Sequence, residues 1–229
     1  MSDLPENGVN EEVTPDITEE DSKEAFNLKK EVFEWIYTIV VALAIAFLIK
    51  GFLFDVVRVD GPSMETTLLN NDRLIITKIG YKPQAQDIII LDSAYKARED
   101  YYEMLEENNI DVNFIEKAFN LSVPQNLKRR YYVKRIIGLP GQTIDIVGGK
   151  VLVDGKVLDE PYISAITTIT DHTVDYPVTV DDDSVFVMGD NRPYSKDSRS
   201  SELGQVPIKA ILGKAQIRIW PLNKIGLVK

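Results

Sequence analysis

A serine at position 63 stands in a setting suited to nucleophilic chemistry. It belongs to the run Val59-Asp60-Gly61-Pro62-Ser63-Met64, in which Gly61-Pro62 forces a bend in the chain. A serine on such a turn can present its hydroxyl to a substrate while its backbone N–H faces a developing oxyanion. Turn serines also serve for local hydrogen bonding alone, so this motif does not by itself establish a nucleophile.

A serine nucleophile needs a base, and the composition restricts the choice. The chain contains no cysteine and one histidine, His172. No orienting acid stands at a recognisable spacing from His172, and a Ser-His-Asp triad depends on such an acid. The lack of cysteine excludes cysteine nucleophiles, disulfides and Cys/His zinc sites, so we expect no metal and no cofactor.

Lys134 is the other candidate base. It lies in the apolar stretch Tyr131–Gly138, where strand alternation places it on one face with Tyr132 and Ile136. A free lysine is neutral at pH 7 only about once in 2,500 molecules. Burial lowers the pKa of a lysine by about 3–5 units, which is enough to supply a neutral amine as general base. A lysine on an edge strand that points to water would have no such role.

A dense polar loop follows the apolar run Val185–Met188. It extends from Gly189 to Arg199 and contains both charge signs, with Asp197 and Arg199 close enough in sequence to form an ion pair. Such a loop is either a solvated turn or a hydrogen-bonding scaffold that orients a catalytic lysine.

The elements that must position these residues are short strands. Alternating apolar runs punctuated by Gly and Pro predict a mainly β fold, an antiparallel sheet with a barrel-like or sandwich-like arrangement. Asp154-Gly155 predicts a type I′ hairpin turn. Residues 95–120 have helical spacing instead, and we expect a helical insertion that hangs from the fold, with Tyr101, Leu105, Phe114 and Ala118 on one face. The predicted strands are Val56–Asp60, Arg73–Lys78, Asp87–Leu91, Tyr131–Gly138, Thr143–Val147, Lys150–Val153, Lys156–Leu158, Val178–Val180, Val185–Met188 and Ala215–Trp220.

The N-terminal part of the chain has a different composition. Residues 1–27 hold nine acidic residues and one basic residue, and so carry most of the net charge of −10. So charged a segment, with few large apolar residues, predicts a disordered tail. No basic stripe is present, so nucleic acid is not an expected partner.

An apolar run predicts a membrane anchor within residues 28–54. Trp35 to Phe54 spans 20 residues, provided that the stem of Lys50 extends toward the interface, and about 20 residues cross ~30 Å of hydrocarbon. A cleaved signal would begin nearer the N-terminus, and a core helix would need a polar face. Lys29 and Lys30 precede the run, so we expect a single-pass protein with a cytoplasmic N-terminus and an extracytoplasmic domain over residues 55–229.

Four motifs in order after an apolar segment resemble those of bacterial type I signal peptidases, in particular the single-span Gram-positive kind. They are Gly61-Pro62-Ser63-Met64, Asp72-Arg73-Leu74, Tyr132 to Gly141, and Gly189-Asp190-Asn191-Arg192 through Ser195 to Arg199. The resemblance covers about residues 30–229, apart from the helical insertion.

The resemblance implies a role for each matching residue. Ser63 is the nucleophile and Lys134 the general base, and the Ser63 N–H contributes to the oxyanion hole. Ser195 bonds Lys134, Asp197 and Arg199 brace the loop, and Met64 shapes the surroundings of the nucleophile. The implied substrates are exported preproteins with small residues at the first and third positions before the cut, and the implied setting is the cell membrane.

This sequence departs from the family pattern in three places. No proline follows soon after Ser63-Met64, and the insertion at 95–120 is longer than compact members need. Gly61 stands where some members carry a serine hydroxyl, so the oxyanion must rely on backbone donors or water. Two alternatives stay open: a self-cleaving repressor-type Ser/Lys protease, and a non-catalytic anchored β module in which Ser63 and Lys134 lie far apart.

Overall fold

The structure is a computed structural model that describes residues 28–48, 53–78, 80–113, 116–117, 123–168 and 174–228. His172 therefore lies outside the described residues, as does the predicted acidic tail. The chain divides into two compact units, Met1–Ile45 and Ala46–Lys229.

A single long helix, α1 (Leu28–Leu48), is the described element of the first unit and continues to the start of the second. It includes most of the predicted anchor, and the side chains described in it, residues 30–46, are exposed. Among the described residues, no helix is both long enough and apolar enough to cross a membrane. The predicted anchor also includes residues 49–52, which lie outside the described part, and it stays a prediction.

The second unit is built from short strands, and this confirms the predicted mainly β fold. All strand pairs of the described residues are antiparallel. The strands are β1 (Phe54–Arg58), β2 (Arg73–Thr77), β3 (Ile88–Asp92), β4 (Tyr131–Gly138), β5 (Thr143–Val147), β6 (Lys150–Val153), β7 (Lys156–Val157), β8 (Val178–Thr179), β9 (Ser184–Met188), β10 (Val206–Pro207), β11 (Ile211–Trp220) and β12 (Gly226–Leu227).

The strands form two sheets. The larger has the order β1-β2-β11-β3-β4-β9-β10, with β12 paired to β11, and the smaller has the order β7-β6-β5-β8. The hairpin between β6 and β7 has the predicted turn, since Asp154 and Gly155 have φ values of 51° and 75°. The connection between β1 and β2 carries the serine motif, and β4 carries the lysine motif.

All ten predicted strands are present, and their ends agree within two residues except at β11. That strand begins at Ile211 rather than at Ala215. Gly213 interrupts the apolar pattern there, but it lies in a register shift of the ladder, and a Cβ at this position would overlap the backbone of Thr77. A glycine in a bulge is compatible with a strand. The two-residue strands β10 and β12 were not predicted.

The core explains why β4 is buried along most of its length. Its side chains enter three apolar clusters: Val133 packs with Met64 and Leu68, while Ile136 and Ile137 pack in two other clusters. Met64 and Leu68 lie one and five residues after Ser63 in the chain. The serine loop is therefore fixed against the same strand that carries Lys134.

The predicted insertion is only partly helical. Helix α2 (Tyr95–Glu107) forms its first half, and residues 108–113 are not helical. The interpretation of a segment that hangs from the fold is wrong, because Arg98 pairs with Asp92 at 2.6 Å in a buried position. Arg98 also donates a hydrogen bond to the backbone oxygen of Leu127, so the helix is tied to the chain before β4.

The apolar face of α2 also differs from the prediction. Tyr102 and Leu105 are buried with Val123, whereas Tyr101 is half-buried at the edge of this cluster. Tyr101 comes one residue before the buried Tyr102, and each residue turns the helix by about 100°. Tyr101 therefore lies beside the buried face and not at its centre. Phe114 and Ala118 lie outside the described residues.

Candidate active site

Ser63 lies in a loop that is closed tightly at its base. The N–H of Val59 donates to the oxygen of Asp72 at 2.8 Å, and the N–H of Asn71 donates to the oxygen of Val59 at 2.9 Å. Gly61 has a φ of +100°, a conformation that a residue with a side chain rarely adopts. The bend predicted from the sequence is therefore present, and a glycine is required at its first position.

The loop from Gly189 to Arg192, which lies much later in the sequence, also supports the backbone of Ser63. The backbone N–H of Asn191 donates to the oxygen of Ser63 at 3.1 Å. The side-chain amide of Asn191 donates to the oxygen of Pro62 at 3.0 Å. Gly189 allows this approach, because a Cβ there would overlap the oxygen of Ser63 and the hydroxyl of Ser195.

Lys134 lies in the middle of β4, and its side chain reaches the serine. Its Nζ is 2.7 Å from the Oγ of Ser63 and donates to the oxygen of Val133 at 3.0 Å. The Tyr132 ring, on the same face of the strand as predicted, lies 5.2 Å from the Nζ. Only 3 % of Lys134 is exposed. The edge-strand lysine that points to water is therefore excluded.

Burial changes the protonation of this amine. It lowers the pKa of Lys134 from 10.5 to about 8, although the carboxylates of Asp197 and Asp190 act in the opposite direction. The guanidinium of Arg199 lowers the pKa further. With a pKa of about 8, about one molecule in ten carries a neutral amine at pH 7, compared with about one in 2,500 for a free lysine.

An ion pair on the opposite face of β4 connects the strand to both loops. Arg135 donates to the two carboxylate oxygens of Asp190 at 2.8 and 2.7 Å, and both side chains are buried. Asp190 also accepts a hydrogen bond from the hydroxyl of Thr67, in the serine loop. Sequence reasoning missed this pair as part of the site. Strand alternation puts Arg135 on the face of β4 opposite Lys134, and since this side chain is buried there, its guanidinium needs a carboxylate partner.

Asp197 and Arg199 form the ion pair expected from their spacing, and both are fully buried. Asp197 also accepts a hydrogen bond from the N–H of Gly189 at 3.0 Å, and Arg199 donates to the oxygen of Arg192 at 2.7 Å. The pair therefore fixes the loop that holds Ser63.

Ser195 does not make the hydrogen bond expected from the family resemblance. Its hydroxyl is buried close to Gly189, and in the described structure it has no hydrogen-bond partner. Lys134 instead uses the oxygen of Val133 as its second contact. Met64 and Gly61 both line the cavity beside Ser63, and Met64 is fully buried in the core below it.

Comparison with known proteins identifies the family. Residues 32–220 match the family described as "Signal peptidase, peptidase S26". The chain belongs to this signal peptidase family. It is therefore a serine peptidase, a hydrolase.

Relatives of this signal peptidase family member cover most of its length. The chain is 34 % identical to Signal peptidase I of Bacillus licheniformis over 218 residues, which are 91 % of this chain and 98 % of that protein. It is also 34 % identical to Signal peptidase I S of Bacillus subtilis over 204 residues, 86 % of this chain and 94 % of that protein. A crystal structure of a signal peptidase I from Enterococcus faecalis aligns with a TM-score of 0.40 and 25 % identity, over 59 % of this chain and 98 % of that one.

The peptidase has an open cavity at Ser63 and Lys134. Its volume is about 690 Å³, and its walls include β1, the serine loop, Arg129 and the first half of β4 from Tyr131 to Lys134. The separation of 2.7 Å between Ser63 Oγ and Lys134 Nζ contradicts the non-catalytic β module, which predicted that these groups lie far apart. Within the described residues, no group of His, Cys, Asp and Glu is arranged to hold a metal ion.

Proposed function

We propose that this peptidase removes N-terminal signal peptides from exported preproteins, with Ser63 as the nucleophile and Lys134 as the general base. The observation that carries the proposal is the 2.7 Å contact between Ser63 Oγ and a buried lysine whose pKa is lowered to about 8. The names of the relatives and the family supply the class of substrate.

The first half of the reaction uses the lysine as a base and then as an acid. Neutral Lys134 takes the proton of the Ser63 hydroxyl as Oγ attacks the carbonyl carbon of the scissile bond. The tetrahedral intermediate collapses, the C–N bond breaks, and the Lys134 ammonium gives its proton to the leaving amine. The signal peptide is then an acyl ester on Ser63, and the mature protein leaves with a new N-terminus.

The second half repeats these steps with water. Neutral Lys134 takes a proton from a water molecule, whose oxygen attacks the ester carbon. The ester C–O bond then breaks, and Lys134 returns the proton to Ser63 Oγ. In both halves the oxyanion needs donors. The Ser63 N–H has no hydrogen-bond acceptor in the described structure, so it is free for this role. The Gly61 N–H is not, because it donates to Asn70 at 3.1 Å.

The cavity suits an extended peptide. β1 is the first strand of the larger sheet, where it pairs with β2, and Asp55 to Arg58 of this strand line the cavity. The first half of β4 pairs with β3, whereas its pairing with β9 begins at Arg135. We propose that the substrate lies as an extended chain in this cavity, beside β1 and the first half of β4, as in strand addition. Backbone recognition accepts many sequences, as a signal peptidase requires.

The apolar run that begins at Trp35 and ends before β1 is proposed to anchor the enzyme in the cell membrane, with the acidic tail in the cytoplasm and the β domain on the outer side. The support is the apolar run from Trp35 and the lysines that precede it. The test is protease digestion of intact spheroplasts that carry the full chain. We expect loss of the β domain and protection of an epitope in the tail. Protection of the β domain would contradict this topology.

The function is tested with purified full-length protein in detergent and a radiolabelled preprotein. We expect one cut, after a segment with small residues at the first and third positions before it. Ser63→Ala and Lys134→Ala are each expected to lose at least about 10³-fold in rate while melting as cooperatively as the unmodified protein. Processing by Lys134→Ala at the normal rate would exclude the proposed pair.

A further inference from the structure

A segment without regular structure contacts three of the elements that hold Ser63 and Lys134. Residues 159–168, here named the strap, lie between β7 and β8 and were not singled out by the sequence. The strap contacts the serine loop, β4 and the Gly189–Arg192 loop through three of its side chains and one backbone oxygen. The described strap residues do not line the cavity at Ser63.

Tyr162 of the strap contacts the serine loop and β4 together. Its backbone oxygen accepts a hydrogen bond from the hydroxyl of Thr66 at 2.9 Å, three residues after Ser63. Its ring lies 3.9 Å from the guanidinium carbon of Arg135, the residue that follows Lys134. The carboxylate of Asp190 meets the same guanidinium through two hydrogen bonds. Arg135 is therefore held both by a carboxylate and by an aromatic ring.

Glu160 of the strap supports the loop on the other side of the serine. It forms an ion pair with Arg192, and the two side chains are 6 % and 1 % exposed. Arg192 also donates to the hydroxyl of Thr167, in the strap, and to the backbone oxygen of Gly189 at 3.2 Å. Gly189 begins the loop whose Asn191 holds the backbone of Pro62 and Ser63.

We infer that the strap is a positioning device for the nucleophile and the base, with Tyr162 and Glu160 as positioning residues. The inference rests on the proposed function of Ser63 and Lys134. A rotation or shift of either group changes the reactive distance of 2.7 Å, and a displacement of about 1 Å can reduce a rate by about 10²-fold. Because the strap lies outside the cavity, its loss affects the chemical step and leaves substrate binding intact.

The test for Tyr162 compares two substitutions in the full-length enzyme, with a labelled preprotein as substrate. Tyr162→Leu removes the flat ring from Arg135, whereas Tyr162→Phe keeps it. The hydroxyl of Tyr162 makes only a long contact of 3.3 Å with Glu160, so its loss matters little. We expect kcat to fall about tenfold or more for Tyr162→Leu with KM within about twofold, and Tyr162→Phe to stay close to the unmodified enzyme.

Glu160 and Thr66 are tested with matched controls. Glu160→Gln removes a charge from a buried ion pair, and Glu106→Gln removes one from the exposed pair with Lys117. Thr66→Val removes one hydrogen bond to the strap, and Thr143→Val removes a hydroxyl contact between β5 and β8. We expect kcat to fall about tenfold for Glu160→Gln and about threefold for Thr66→Val, with no change for the two controls.

Rates are expressed per folded molecule, with melting curves measured in the same detergent. If Glu160→Gln does not fold, Thr66→Val and Tyr162→Leu decide the question. A lower melting temperature with unchanged kcat in both of these variants would overturn the inference, because the strap would then stabilise the fold without positioning the site. Ser63→Ala is measured in parallel. Cleavage by Ser63→Ala would instead refute the proposed function on which the strap's role depends.

Discussion

The Nζ of Lys134 lies 2.7 Å from the Oγ of Ser63, although 71 residues separate the two in the chain. The contact joins the loop after β1 to the middle of β4, and three strands lie between these two in the larger sheet. The packing that brings the groups together also removes Lys134 from water. Proximity to the nucleophile and the lowered pKa of the base therefore have one structural origin.

The rate of cleavage should follow the titration of this lysine. The active form is the neutral amine, so kcat/KM should rise with pH and level off above a midpoint near 8. Burial of Lys134 sets this midpoint. Below the midpoint, each pH unit should cost about tenfold. The measurement is initial rates at low substrate from about pH 5.5 to 9.5. A midpoint above about pH 10, where a free lysine titrates, would show that the fold does not change the base.

Lys134→Met should make the protein more stable at pH 7 while it abolishes cleavage. The folded-state pKa of Lys134, about 8, lies below the 10.5 of the unfolded chain, so the unfolded state binds more protons between these pH values. The stability of the unmodified protein therefore rises from about pH 8 to 10.5. At pH 7, burial of the charged lysine lowers the free energy of unfolding by its full amount, roughly 3 kcal/mol.

A methionine removes that penalty but also loses the hydrogen bonds to Ser63 and Val133, so we expect a net gain of about 1–3 kcal/mol at pH 7. The check is the melting temperature of both full-length proteins in detergent at pH 7 and near pH 10.5. The difference should shrink at the higher pH. A lower melting temperature for Lys134→Met at pH 7 would mean that burial of the amine is not unfavourable.

The sequence predicted the strands well because their apolar residues alternate without competing signals. β4 has the predicted bounds, and Tyr132 and Lys134 share a face as its period of two requires. The exceptions have local causes. In β11 the ladder continues past a glycine that the apolar pattern treats as a break, and helix α2 turns Tyr102 rather than Tyr101 toward the core.

The site itself could be predicted only in part. Periodicity assigns Lys134 to a face of a strand, but the order of five strands in the sheet decides that this face meets Ser63. Only the ordered motifs of a known family pointed to that contact. The pairing of Arg135 with Asp190 joins residues 55 positions apart, and strand alternation does not choose among the acidic residues available. The strap has no periodicity at all, so no sequence pattern indicated its contacts.

Gly189→Ala should reduce activity through crowding alone. A Cβ at this position would overlap the backbone oxygen of Ser63 and the hydroxyl of Ser195, so the loop must move away from the serine. We expect kcat/KM to fall at least about tenfold, because the serine loop loses its alignment. Gly226→Ala is the matched control, since a Cβ there meets no atom within 4 Å. Equal activity of the two variants would show that the close approach at Gly189 does not matter for cleavage.

Asp197→Asn should lower stability and move the pH profile in the same variant. The Asp197–Arg199 pair is fully buried, and removal of one partner of such a pair costs about 3–5 kcal/mol. Glu202→Gln is the control for stability, because the Glu202 and Lys196 side chains are 71 % and 69 % exposed and water screens their interaction.

The pH profile gives the sharper result. Among nearby charges, the Asp197 carboxylate does most to raise the pKa of Lys134, while Arg199 lowers it. Asparagine at 197 removes this carboxylate, while Asp190 still raises and Arg199 still lowers the pKa of Lys134. The pKa should therefore fall further, and the midpoint of kcat/KM should move to lower pH. The profile is measured well below the melting temperature of the variant. A midpoint that moves to higher pH would mean that the charge of Asp197 does not act on the base through the buried loop.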